Sequence, residues 1–168
     1  MQKTVISNVK NAEYKDVNLN KIYEPDKQHK HSFEFQNSAV SNPFVAGEGK
    51  LSVYFYTLQP GKANYPYHHH TGSEELFYII SGQGTLKTPE GERAVFEGDV
   101  IVMPANENGS HMLINTSNIP LVYLDVDTVD LNAPEVVIYP ETGKMLVMAD
   151  KIMKTYKINN NVNYLDGE

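Results

Sequence analysis

His68-His69-His70-Thr71-Gly72-Ser73-Glu74-Glu75 places several possible metal ligands within eight residues, and His111 follows beyond a turn-rich segment. Side chains at i and i+2 of a strand point to one side, about 7 Å apart at their Cα atoms. His68 and His70 can therefore reach one ion from one strand, while His69 points away. Thr71-Gly72-Ser73 is a turn composition, so the next strand can bring the Glu75 carboxylate to the same ion. His111 must come from a distant strand, and Gly98-Asp99-Val100-Ile101-Val102-Met103-Pro104 supplies a strand and a stop before it. Four ligands converging from different places leave coordination positions open, as a catalytic site does and a closed structural one does not. Taken singly, the triple histidine suits a solvated loop, Glu74-Glu75 an exposed charged pair, and His111 a hydrogen-bonded, partly buried residue. Their joint spacing favours a site.

Outward from this stretch the chain reads as short strands bounded by turn residues. Leu51–Leu58 is rich in aromatic and β-branched residues and ends at Pro60-Gly61. Leu76–Ile80, Thr85–Thr88, Arg93–Phe96, Val100–Met103, His111–Ile114 and Leu121–Val126 follow, separated by glycine- and proline-containing turns. A last pair, Val136–Tyr139 and Met145–Met148, flanks the turn Thr142-Gly143. Strands every 8–12 residues predict an antiparallel sandwich or barrel, and no interval is long enough for the crossover helix of a parallel sheet. Residues 1–47 read as a polar arm with a basic, histidine-bearing patch (Lys27, His29, Lys30, His31) ahead of Phe33 and Phe35. The tail from Ala149, with Lys151, Lys154 and Lys157 among apolar residues, fits either a short amphipathic helix or a strand.

The 168 residues predict one domain able to bury a core. Eleven tyrosines and six phenylalanines lean toward β structure. A formal charge of −7 argues against nucleic acid or an anionic membrane surface as partner, since both need a basic face. With no cysteine, thiol ligands and disulfides are excluded, and nitrogen and oxygen ligands remain. The stretch Met1–Asn8 shows no signal-peptide pattern and no apolar run approaches the roughly 20 residues of a membrane span, so a cytoplasmic location is expected.

Two motifs in register make the chain resemble the cupin superfamily, specifically its small single-domain bacterial members. The first is Gly61, His68-x-His70, four residues, Glu75, six residues, Gly82; the second is Gly98, five residues, Pro104, then His111, three residues, Asn115. Fifteen residues lie between Gly82 and Gly98, the compact spacing of small microbial cupins, and Tyr139–Lys144 resembles the ending of a subgroup of them. The pattern departs in two places. Gly61 stands one residue too far from His68, and Asn106 replaces the second glycine of Pro-x-Gly with a longer gap to His111. Asn tolerates left-handed geometry, and Gly109 can take over part of the role.

The resemblance implies an all-β double-stranded β-helix (jelly-roll) barrel over about residues 48–128, with the amino-terminal arm 1–47 and a carboxy-terminal extension 129–168. It implies His68, His70, Glu75 and His111 as the ligands of a divalent transition metal (Fe, Mn, Ni or Zn), and a homodimer paired through sheet edges. The expected function is a metal-dependent enzyme of oxygenase, isomerase or lyase type acting on a small organic molecule. The alternatives are a non-catalytic small-molecule or sugar sensor and a barrel whose metal is merely structural. Tyr65, Tyr67 and Phe77 are the candidate substrate contacts. Gly82-Gln83-Gly84 lacks the third glycine and following helix of a dinucleotide loop.

Overall fold

In the computed structural model, residues 4–24, 27–149 and 152–167 are described. Met1–Lys3, at the start of the arm, and Lys151 of the tail lie outside them. In chain order the elements are β1 (Lys15–Asn18), α1 (Leu19–Tyr23), β2 (Ser32–Ser41), α2 (Pro43–Ala46), β3 (Leu51–Leu58), β4 (Lys62–Ala63) and β5 (His69–His70). They continue with β6 (Glu75–Ser81), β7 (Gln83–Thr88), β8 (Gly91–Phe96), β9 (Val100–Met103), β10 (Met112–Ile114) and β11 (Leu121–Thr128). The last three are β12 (Glu135–Tyr139), β13 (Lys144–Ala149) and β14 (Ile152–Lys157). The all-β reading holds. Among the described residues no helix is long and apolar enough to cross a membrane.

Ten strands form one sheet in the order β8-β7-β10-β4-β2-β3-β11-β6-β9, with β1 added on β2. The remaining four form a second sheet, β14-β13-β12-β5. Only the β2–β4 pairing among them is parallel. Strand parity explains what is buried. On β11 the side chains of Leu121, Tyr123 and Asp125 face inward while Val122, Leu124 and Val126 face out. On β3, Ser52, Tyr56 and Leu58 are buried and their neighbours are not. Leu58, Phe77, Ile79, Leu113, Leu121 and Tyr123 close the core with no exposed surface, and Tyr123 stacks on Tyr56 at 5.1 Å.

One segment differs from the sequence reading, and one left open there is decided. Part of the polar arm is β2, a ten-residue strand between β4 and β3 that buries Phe35 against Tyr56 and Tyr65. The tail is the strand β14, antiparallel to β13 and exposed along its length. The expected hairpin at Thr142-Gly143 joins β12 to β13, with Gly143 left-handed at φ 57°.

Asn106 is extended, at φ −165°, and does not take the left-handed geometry expected of it, while Gly109 is required by close approach and not by a positive φ. A Cβ there would lie 2.0 Å from the Pro104 carbonyl oxygen. Gly98 is the reverse case, at φ 92° with open space around it. Gly109→Ala should therefore cost stability at or above the upper end of the usual ~1–3 kcal/mol for overpacking. Gly98→Ala should carry only the left-handed backbone penalty of about 1–2 kcal/mol. Thermal unfolding checks the order, at roughly 2–4 °C per kcal/mol for a chain of this size; an equal or larger drop for Gly98→Ala would contradict the close-approach explanation.

Candidate metal centre

His68 and His111 face each other across an isolated antiparallel bridge. The His68 N–H donates to the His111 carbonyl at 3.1 Å, and the His111 N–H returns a bond to the His68 carbonyl at 2.8 Å. Their rings are thereby held side by side, centroids 4.6 Å apart. Each ring is then oriented from behind. His68 Nδ1–H donates to the Pro66 carbonyl at 2.8 Å, and His111 Nδ1–H donates to the Gly109 carbonyl at 3.0 Å. A carbonyl can only accept, so the proton sits on Nδ1 and Nε2 keeps its lone pair directed inward.

His70 enters from β5, which pairs with β12 in the second sheet. Its Nδ1 faces Glu135 Oε1 at 3.5 Å and its Nε2 faces Glu75 Oε2 at 3.7 Å. Glu75, the first residue of β6, also brings Oε2 to 3.2 Å from His111 Nε2. One ligand atom from each of His68, His70 and Glu75 lies within 4.8 Å of the others. His69 points away, its Nδ1 3.0 Å from Ser110 Oγ. The sequence-derived ligands are thus brought together.

Burial sets the charge states. It depresses His68 well below the ordinary histidine range, reinforced by His111 and His70, and it lowers His111 to about 4. Burial also pushes the Glu75 carboxyl well up, with the charge of Asp127 adding to it. Glu75 Oε2 and His111 Nε2 are buried and have no hydrogen-bond partner. Orphaned atoms of this kind call for an explanation. Neutral imidazoles and a carboxylate converging on one point fit a divalent transition ion, which would satisfy both.

His68, His70 and Glu75 open onto a cavity of about 240 Å³ lined also by Tyr56, Tyr65, Asp125, Asp127, Glu135 and Tyr139, while His111 stands behind them off its wall. Val137, Leu146 and Met148 of the second sheet form apolar wall. Of the candidate substrate contacts, Tyr65 lines this space, its hydroxyl 3.1 Å from that of Tyr56. Tyr67 and Phe77 do not line it. Lys87 Nζ lies over the Tyr67 ring at 4.9 Å, and Phe77 is fully buried with its ring edge-on to His111 at 5.3 Å. Phe77 backs His111 and does not reach the open side.

Asp125, Asp127 and Glu135 were not picked out from the sequence. The first two had a signal: acids at alternate positions of an apolar strand share the side of Leu121 and Tyr123. Glu135 had none, since its relation to Thr71, Gly72 and Ser73 is made only by the second sheet.

A family model, described as a cupin domain, matches residues 54–127. No curated protein matches the chain. Among solved structures, a sugar phosphate isomerase of the cupin superfamily from Silicibacter pomeroyi is 18% identical, with 95% of this chain and 96% of that one covered and a TM-score of 0.71. A predicted oxalate decarboxylase from Thermotoga maritima is 20% identical, covering 76% of this chain and all of its own, at a TM-score of 0.60. The polyketide cyclase RemF from Streptomyces resistomycificus is 16% identical over 77% of this chain and 81% of its own, at 0.55. At these identities the likeness is one of fold. With the family match across the central strands and the likeness of fold, the wrapped sheet is a jelly-roll barrel that carries a cupin domain over residues 54–127.

Proposed function

We propose that the protein is a metal-dependent enzyme acting on a small organic molecule in the cavity, with one Fe, Mn, Ni or Zn ion on His68, His70, Glu75 and His111. The observation that carries this reading is the pair of buried, partnerless ligand atoms, Glu75 Oε2 and His111 Nε2, beside an accessible cavity. The bound ion would supply Lewis-acid polarisation of a substrate oxygen. The chain's own residues do the rest. The Pro66 and Gly109 carbonyls hold two imidazoles in the ligating tautomer, and the Glu135 carboxylate stands 3.5 Å behind the third, placed to take its Nδ1–H. Tyr65 presents a hydroxyl to orient a substrate oxygen, and Val137, Leu146 and Met148 exclude water from one side. A closed, wholly apolar pocket would instead have favoured a sensor. Hydroxyl and carboxylate groups next to the ligand set favour chemistry. The names of the fold neighbours, isomerase, decarboxylase and cyclase, support an isomerase or lyase type of reaction over an oxygenase.

We also propose a homodimer, formed through a sheet face and not through the edges expected from the sequence. The register lines up Val53, Val126, Leu76 and Val102 across β3, β11, β6 and β9. It lines up Phe55, Leu124, Tyr78 and Val100 in the next row. None of the eight is buried, and Val100 and Val102 are 61% and 65% exposed. A continuous apolar face of this kind marks an interaction site.

Elemental analysis of untagged protein should find one transition-metal ion per chain at the imidazole set. His68→Ala and His111→Ala should lose it, and Glu135→Gln should weaken metal affinity by roughly 10–100-fold, as loss of a ligand-orienting group does. Retention of the metal by His111→Ala would refute the ligand set. In light scattering the wild type should run at about twice the 18.9 kDa chain mass, and a Val100→Glu, Val102→Lys double variant at the chain mass; an unchanged dimer would exclude this face.

A further inference from the structure

The cavity holds more carboxyl groups than one ion at the imidazoles can use. Asp127 stands directly opposite Glu75 in the β11–β6 register, a pairing of like charges that is unfavourable on its own. Asp125 lies two residues back on the same face of β11. Carboxylate oxygens of Glu75, Asp125 and Asp127 all lie within 4.8 Å of one another. Glu75 and Asp125 are each 5% exposed, and Asp125 Oδ1, like Glu75 Oε2, has no hydrogen-bond donor. Asp127 has Ser52 as its hydrogen-bonding neighbour from β3. Among the described residues no lysine or arginine lines the cavity. Buried carboxylates are ordinarily paired, and here the partner is missing from the chain itself. The rings of Tyr56 and Tyr65 stand alongside, the kind of wall that also favours a positive group.

We propose that Glu75, Asp125 and Asp127 form a second cation subsite next to the imidazole centre, with Glu75 shared between the two. All-oxygen ligands suit a hard cation, so the occupant is either a second divalent ion or the ammonium group of the cavity's small-molecule ligand. A phosphate ester would bring further negative charge against the three acids, so the substrate class is uncharged or cationic. That separates this chain from what the name of its Silicibacter pomeroyi neighbour would suggest. The inference rests on the metal-centre reading only through the shared Glu75.

Protein loaded with one equivalent of Zn²⁺ and dialysed is followed by thermal unfolding against Mn²⁺, methylammonium and inorganic phosphate. For the wild type, Mn²⁺ or methylammonium should raise Tm saturably, and which of the two does so identifies the source of the cation; phosphate should not. Asp125→Asn relieves the repulsion, so it should start from a higher Tm than the wild type and lose the rise; Asp127→Asn should do the same if the first variant fails to fold. His111→Ala should keep the rise while losing the imidazole-bound metal, so failure of the metal-centre reading and failure of this one give different patterns. No rise in the wild type, a rise unchanged in both aspartate variants, or a rise with phosphate would overturn the proposal.

Discussion

The reciprocal hydrogen bonds between His68 and His111 are the constraint on which the site depends. They join the first motif to the second with two backbone bonds, and so fix the spacing of two imidazoles before any ion is present. Each ring is further held by a carbonyl only two residues back in its own segment. Local chain geometry thus sets ring orientation, while the long-range bridge sets ring separation. Glu75 completes the arrangement because β6 begins at that residue and runs antiparallel to both β9 and β11. Such preorganisation lowers the ordering cost of binding an ion.

Burial has opposite effects on the two kinds of group around the cavity. It keeps His68 and His111 neutral, which is the ligating form, and it penalises the ionised state of Glu75, Asp125 and Asp127. A cation brought in from outside the chain would offset that penalty on the carboxylates. The tyrosine cluster of Tyr56, Tyr65 and Tyr123 follows the same rule, with each phenol held neutral by burial.

Three candidate ligands, His68, His70 and Glu75, were legible in the sequence because their grouping depends on short-range facts: parity within a strand, turn composition, and spacing to the next strand; His111 comes from a distant strand and was tied to them by the second motif of the resemblance. The strands from Leu51 to Val126 were legible for the same reason. β2 was not, because its alternation of Phe33, Phe35 and polar residues is weak in composition, and its place in mid-sheet is decided by β3 and β4. Asp125 and Asp127 could be placed on one face by parity, yet their meaning comes from the Glu75 opposite them, and register is a tertiary property. Tyr67 and Phe77 show the same limit from the other side. Nearness in sequence to a ligand did not put either ring on the open side of the site.

The pairing of β5 with β12 has a consequence for where the site ends along the chain. His68 is tied to the larger sheet's neighbourhood through His111, whereas His69 and His70 stand in register with Ile138 and Val137. Two imidazoles separated by a single residue are thus moored to different sheets. A chain cut after the last strand of the central barrel would keep every candidate ligand and still lose the backbone that berths His70, together with the Glu135 carboxylate behind its ring. The terminal hairpin is the keystone of the cavity, and shortening the protein to its motif-bearing strands would dismantle what those motifs build.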